Sequence, residues 1–231
     1  MKRLRHLSKI KRPVTGGVSS SVAPCHPGRV PGRRAPSTTP PPPPDEAALR
    51  EAGLAHLARY AATEAGLRRV LDRRLDRWAR LAAGTGDPET IATTIATLRP
   101  AVRRVVAALA AAGAVNDAAF AESRARSLRR AGRSRRAIAA HLAVRGVAAE
   151  QARAAIPEDP DGELAAALLL ARRRRLGPFR AAPLPAGDPT AARREQGVLA
   201  RAGFPETIVR RALGCAREEA DAQIAALRAD G

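Results

Sequence analysis

Arginine is the residue type in this chain whose number and spacing could do chemistry. The formal net charge is +19 over 231 residues, and lysine occurs only at Lys2, Lys9 and Lys11. Beyond the first 44 residues, two groups of arginines are the best candidates for contact. One group is Arg126, Arg129, Arg130, Arg133 and Arg136; the other is the run Arg172, Arg173, Arg174 and Arg175. A guanidinium carries five donors in a planar fork that matches phosphate and carboxylate, so the chemistry on offer is capture of a polyanion or an acidic surface. No single arginine carries that reading, because an exposed arginine is usually just solvated; the clustering does. Another source of the same pattern stays open. An Ala-, Gly- and Pro-rich composition is what a GC-rich genome encodes, and such a genome also deposits arginine on solvated faces. Arg172 to Arg175 are in addition favoured by the dipole at the end of a helix.

Bond-making chemistry finds little support. His6, His26, His56 and His141 are scattered, and none stands near a nucleophile or metal partner at useful spacing. His141 neighbours the apolar Leu142 and reads as a helix-flank residue. Glu218 and Glu219 are adjacent on a solvated helix and make no acid–base pair. Gly84 and Gly86 are not followed by the Gly-Lys-Ser/Thr of a phosphate loop. Cys25 and Cys215 lie in separate regions without zinc spacing, and so few cysteines fit a reducing compartment. No enzyme activity, cofactor or metal is expected. No apolar run is long enough for a membrane span. The basic start lacks the apolar stretch of a secretory signal, so a cytoplasmic protein is expected; a basic, serine-containing, acid-free start also resembles an organelle transit peptide.

The elements that must position these arginines are short helices. In Asn116 to Ile156, Asp117 is placed to cap a first helix. Phe120, Ala121, Leu128 and Ala131 fall on one face of it, and Glu122, Arg126, Arg129 and Arg130 on the other. Gly132 ends that helix and Ser134 caps the next, whose inner face is Ile138 and Leu142. Gly146 provides a left-handed stop. Val147 leads a third helix with Ala152, Ala155 and Ile156 inward, and Pro157 ends it.

So small a unit buries little alone, which points to repetition. HLAVRGVAAEQARAAI (His141 to Ile156) aligns without a gap on VLARAGFPETIVRRAL (Val198 to Leu213). Leu142 pairs with Leu199, Gly146 with Gly203, Val147 with Phe204, Ala152 with Val209, and Ile156 with Leu213. Upstream, Thr63, Leu67 and Leu71 repeat the spacing of Ser134, Ile138 and Leu142. The reading is all-α: three tandem three-helix modules, elongated and curved, behind a disordered N-terminal tail. The tail is residues 1–44, basic, acid-free and ending in the run Pro40 to Pro44. The modules are residues 45–115, 116–157 and 158–231, the last with a C-terminal helical extension of unassigned role. In the first, Leu49, Leu54, Leu57 and Ala58 form the apolar stripe, and Val102, Val105, Val106 and Leu109 the buried face of a later helix stopped by Gly113. GTGDPETIATTIAT, about 84–98, reads as a helix-breaking insertion because of its glycines, proline and poorly helix-forming threonines. Tyr60 and Trp78 flank the second helix; core filling is the ordinary role of such rings, and stacking on a base is the alternative. In the third module Leu164, Leu168 and Ala171 share a face, and residues 177–189 form a loop.

An acidic cap followed by Phe-Ala, a basic helix, and a second helix ending in Arg-Gly-Val resembles the RecX-type regulators of the RecA recombinase. Leu49 to Leu75 looks like the first module of that family and Val198 to Leu213 like its last. The resemblance spans about Asp45 to Leu213. Arg124 departs from it, standing on an inner face where the family tends to carry an aromatic, and would have to snorkel from between modules. The resemblance implies a regulator that binds RecA filaments on single-stranded DNA and inhibits filament growth, ATP hydrolysis and strand exchange. A monomer is expected, with weak, non-specific affinity for single-stranded DNA alone. Two other classes compete. One is a direct DNA binder reading a groove with Glu150, Gln151 and Arg153; the other is a scaffold for a different acidic protein.

Overall fold

The structure is a computed structural model that describes residues 41–182 and 189–229. The tail reading for residues 1–40 therefore lies outside the described residues. Those described contain ten α-helices, one 3-10 turn and no strand. They are α1 (Glu46–Leu57), α2 (Glu64–Ala82), α3 (Pro88–Ala111), α4 (Asp117–Arg130), α5 (Arg135–Arg145) and α6 (Ala149–Ala154), followed by α7 (Pro160–Arg174), the 3-10 turn Gly177–Phe179, α8 (Pro189–Arg201), α9 (Glu206–Gly214) and α10 (Arg217–Ala229).

Local chemistry explains most helix starts. Asp45, Thr63, Asp87, Asn116, Ser134 and Asp159 each hold extended or near-extended backbone, and their side chains accept from the N–H three residues on. Each removes one unpaired donor of an opening turn. Asn116, rather than the expected Asp117, caps α4, with its Oδ1 2.9 Å from the Ala119 nitrogen.

Three apolar clusters form, one per group of helices. The first joins Leu49, Leu67, Leu71 and Leu75 to Val102, Val105, Val106 and Leu109. Leu54 and Ala58, expected in this stripe, are exposed. Gly53 is buried in their place, since the Leu109 side chain sits where a Cβ would be, 3.0 Å from it. The second cluster contains Ala121, Ala125, Ile138, Leu142, Val147, Ala152 and Ile156. Phe120 and Leu128 pack on its edge, and Ala131, expected inward, is exposed. With only a few large side chains at about 1.5–3 kcal/mol each, the second cluster is thin and depends on its neighbours. The third is built round α7, where Gly162 to Leu169 are buried in an unbroken run. One face was expected inward, but both are covered, because α9 and α10 pack on the same helix. Ala220 and Ile224 of α10 belong to that core, which gives the C-terminal helix its role.

Residues 84–87 form the expected turn between α2 and α3, but residues 88–98 do not break a helix. α3 runs unbroken from Pro88 through Pro100 to Ala111. Asp87 caps it, proline occupies its first turn where no N–H is needed, and Thr94 and Thr97 donate their hydroxyls back to the carbonyls of Thr90 and Thr93. Phe179 is buried in the segment expected to be loop. There Arg180 pairs with Glu195 of α8, which also accepts from the Gly177 N–H at 3.1 Å. Residues 183–188 of that segment lie outside the described residues, and Pro189, expected in the loop, is the first residue of α8.

Candidate binding surface and the joints between modules

The aligned stretches adopt one geometry. Gly146 and Gly203 have φ of +87° and +91°. Val147 N–H donates to Leu142 O at 3.1 Å, and Phe204 N–H to Leu199 O at 3.3 Å. Leu142 and Leu199 are both fully buried.

The modules are joined by one arrangement used twice. The Thr63 hydroxyl, which caps α2, donates to the Arg145 carbonyl at 2.7 Å, immediately before Gly146. The Ser134 hydroxyl, which caps α5, donates to the Ala202 carbonyl at 2.6 Å, immediately before Gly203. Next to each cap, the first N–H of the helix turns to a carboxylate from the following module. Glu64 N–H donates to Asp117 at 2.9 Å, and Arg135 N–H to Glu163 at 3.1 Å. The start of each middle helix thus seats on the end of the next middle helix and on an acid of the next first helix. Glycine is required at these ends: a Cβ on Gly146 would lie 2.3 Å from that of Ala65. Burial raises the Glu163 carboxyl above its ordinary value, against the lowering effect of its bonds and of Arg129 and Arg135.

These joints divide the nine arginines into two kinds. Arg129, expected on the outer face, is largely covered and pairs with Asp159, the cap of α7, at 2.8 Å. Arg173 donates to the Ala131 carbonyl at 2.7 Å, closing the end of α4. Arg172 faces Asp221 at 3.8 Å. Arg126, Arg130, Arg133, Arg136, Arg174 and Arg175 are exposed. Arg126, Arg129 and Arg130 border a cleft of about 240 Å³ against α7 and α10, and Asp159 and Asp161 stand across from them. The structure therefore does not gather the nine residues into one basic site; some hold helices together and the rest spread over two modules.

Sequence reasoning passed over Arg69 and Arg135. The Arg69 guanidinium crosses from α2 to the carbonyls of Val144 and Arg145, at 3.1 Å each, and so closes the end of α5. Arg135 lies half-buried against Glu158, at 3.3 Å. Neither has a local signal, since their partners are 21 to 76 residues away. Arg124 does lie half-buried between helices, its Nε donating to His141 Nε2 at 3.1 Å. Burial lowers the His141 pKa, and the charges of Arg124, Arg145 and Arg133 lower it further, so the neutral imidazole is an acceptor here. Glu150 and Gln151 are exposed on α6, a helix of six residues, where Arg153 turns back to the Ala149 carbonyl. Among the described residues no helix is long and apolar enough to cross a membrane, and no group of acids, histidines and cysteines is placed to hold a metal.

Stacked three-helix modules with interlocking ends and exposed arginines define an all-α helical-repeat protein built to present surface. Residues 116–156 match the family description "RecX, second three-helix domain". The chain is 38% identical over 167 residues to the regulatory protein RecX of Myxococcus xanthus, an overlap of 71% of this chain and 83% of that protein. It is also 38% identical over 108 residues to the regulatory protein RecX of Agrobacterium fabrum, 47% of this chain and 56% of that one. The chain belongs to the RecX family of regulatory proteins.

Proposed function

We propose that this protein binds RecA-type recombinase filaments on single-stranded DNA and restrains their growth, ATP hydrolysis and strand exchange. In that role it modulates recombination, DNA repair and the SOS response in the cytoplasm. The observation that carries the reading is the similarity to a regulatory protein RecX across 83% of its length. The architecture suits it. Modules joined by repeated hydrogen bonds form a stiff series able to touch successive protomers of a repeating partner. The exposed members of the two clusters, Arg126, Arg133 and Arg136 in the middle module and Arg174 and Arg175 in the third, are candidates for acidic protein surface and for phosphate. Arg129, Arg172 and Arg173 act by holding that surface in place.

The test compares binding to naked single-stranded DNA with binding to recombinase filaments at two salt concentrations. A complex held by about five phosphate contacts weakens on the order of a hundredfold between 50 and 200 mM salt. Tighter, less salt-sensitive binding to the filament, with a fall in its ATPase rate, is expected. Equal and equally salt-steep binding to both would leave a plain DNA binder and remove the regulatory reading.

A further inference from the structure

Tyr60 is the one tyrosine of the chain and is 62% exposed. It is not core filler. It sits just past the end of α1, where its N–H donates to the His56 carbonyl at 2.9 Å. The His56 ring stands beside it, centroids 5.3 Å apart and planes tilted by 37°. Two adjoining clefts of about 570 and 580 Å³ meet at this ring and share Phe120 and Arg145 as well. One follows α4 past Arg124 and Ser127. The other follows α2 and α5 past Arg69, Arg73 and His141.

These clefts combine an exposed ring with an acid-free basic lining, whereas the acid-free cleft along α5 and α6 past Arg136 and Arg153 has no aromatic residue. No Asp or Glu is among the described residues lining either one. The cleft beside Arg126 carries Asp159 and Asp161, and the one between α5 and α9 carries Glu158, Asp159 and Glu163. The basic walls are also held in position. Arg69 is fixed on two carbonyls and Arg124 on His141. An exposed ring between cations, with no acid in the cleft lining, is the arrangement that takes an unpaired base on its face and a phosphodiester along its flanks. A paired base is already stacked within its duplex and has no face to offer.

We propose that the cleft between the first two modules binds single-stranded nucleic acid, with one base stacked on Tyr60 and phosphates on Arg145, Arg124 and Arg73. The proposal deepens the functional reading above and rests on it for the strand being present at the protein's working site. It places the strand at the first joint, in clefts lined by none of the nine clustered arginines.

The experiment uses the full chain with short fluorescent oligothymidylate, and the same oligomer carrying 5-iodouracil for photocrosslinking. Loss of one stacked base predicts about 5- to 150-fold weaker binding for Tyr60→Ala, while Tyr60→Phe keeps its affinity. Arg73→Gln lowers the slope of log affinity against log salt by about 0.7. The crosslink maps to the Tyr60 peptide. Wild-type affinity in Tyr60→Ala, or crosslinks confined to the peptides of the two arginine clusters, would overturn the proposal. If Tyr60→Ala spares the oligonucleotide but weakens recombinase binding, the cleft is a protein-docking site and the nucleic-acid assignment falls. Filament binding and ATPase inhibition are scored separately. Failure there with Tyr60-dependent oligonucleotide binding intact overturns the regulatory reading and leaves this one standing.

Discussion

Replacing Ser134 by alanine probes the joint between the second and third modules at a single oxygen. The residue is fully buried. Its Oγ accepts from the Ala137 N–H at 3.2 Å and donates to the Ala202 carbonyl at 2.6 Å. Loss of the cap costs about 0.5–2 kcal/mol. Leaving the Ala202 carbonyl without its partner in a partly buried joint costs about 1–3 kcal/mol. Together they predict a loss of about 1.5–5 kcal/mol, a large part of the roughly 5–15 kcal/mol that holds a typical domain folded. Ser134→Gly separates the two terms, because glycine at a cap costs only about a few tenths of a kcal/mol; its remaining loss reports the joint. Ser134→Thr keeps both bonds, as Thr63 does at the equivalent position. Urea unfolding followed by circular dichroism is the assay, with limited proteolysis to see whether the third module becomes separately cleavable. A loss in Ser134→Ala below about 0.5 kcal/mol, the range of an ordinary surface change, would refute the joint as a source of stability.

Gly146→Ala combines a left-handed backbone with a Cβ placed 2.3 Å from that of Ala65. It should cost more than about 2 kcal/mol in the same assay, whereas Gly113→Ala, at φ +73° in open space, should cost only the backbone strain of about 1–2 kcal/mol. Arg175 adopts φ +56° at the end of α7, so Arg175→Gly should raise stability by about 1 kcal/mol, read as a higher Tm. The Arg180 hydrogen bond, with help from the Gly177 N–H, holds the Glu195 carboxyl below its ordinary value. Its stabilisation is present above the unfolded carboxyl's pKa and is lost as pH falls through the lower folded one, so Glu195→Gln should lower stability at neutral pH and flatten the acid limb of the stability–pH curve. Glu163 has the opposite sign. Its carboxyl is raised by burial, so its contribution is present below the unfolded carboxyl's pKa and is lost as pH rises through the raised folded one, and Glu163→Gln should be neutral or stabilising at pH 7 in the same titration.

The alignment of His141–Ile156 on Val198–Leu213 was legible because what it repeats is local. A glycine stop, an apolar residue after it and a leucine four before it are dictated by helix geometry within one turn, and these residues superpose in φ and in hydrogen bonding. The caps at Thr63 and Ser134 and the inner faces of α3 and α5 were legible for the same reason. Errors arose where local preference met a distant neighbour. The threonine-rich start of α3 looked unhelical, but its hydroxyls bond within the helix and its later turns pack on α2. Leu54 looked buried, but it is the neighbouring Gly53 that faces the core, against Leu109, 56 positions away. Arg129 looked exposed, but Asp159 lies across from it.

By itself, then, the chain's order of residues determined the helices, the turns and the repeat, and through them the family. Those depend on interactions spanning three or four residues, where spacing alone decides which groups can meet. The division of the arginines was decided only in the folded molecule. Whether a guanidinium closes a helix end, as Arg69 and Arg173 do, or stays in solvent, as Arg133 and Arg136 do, depends on which carbonyl or carboxylate the stacking of modules brings within about 3 Å. The same holds for Tyr60, a ring like any other in the sequence. The fold leaves it 62% exposed beside His56, where two clefts between the first two modules meet.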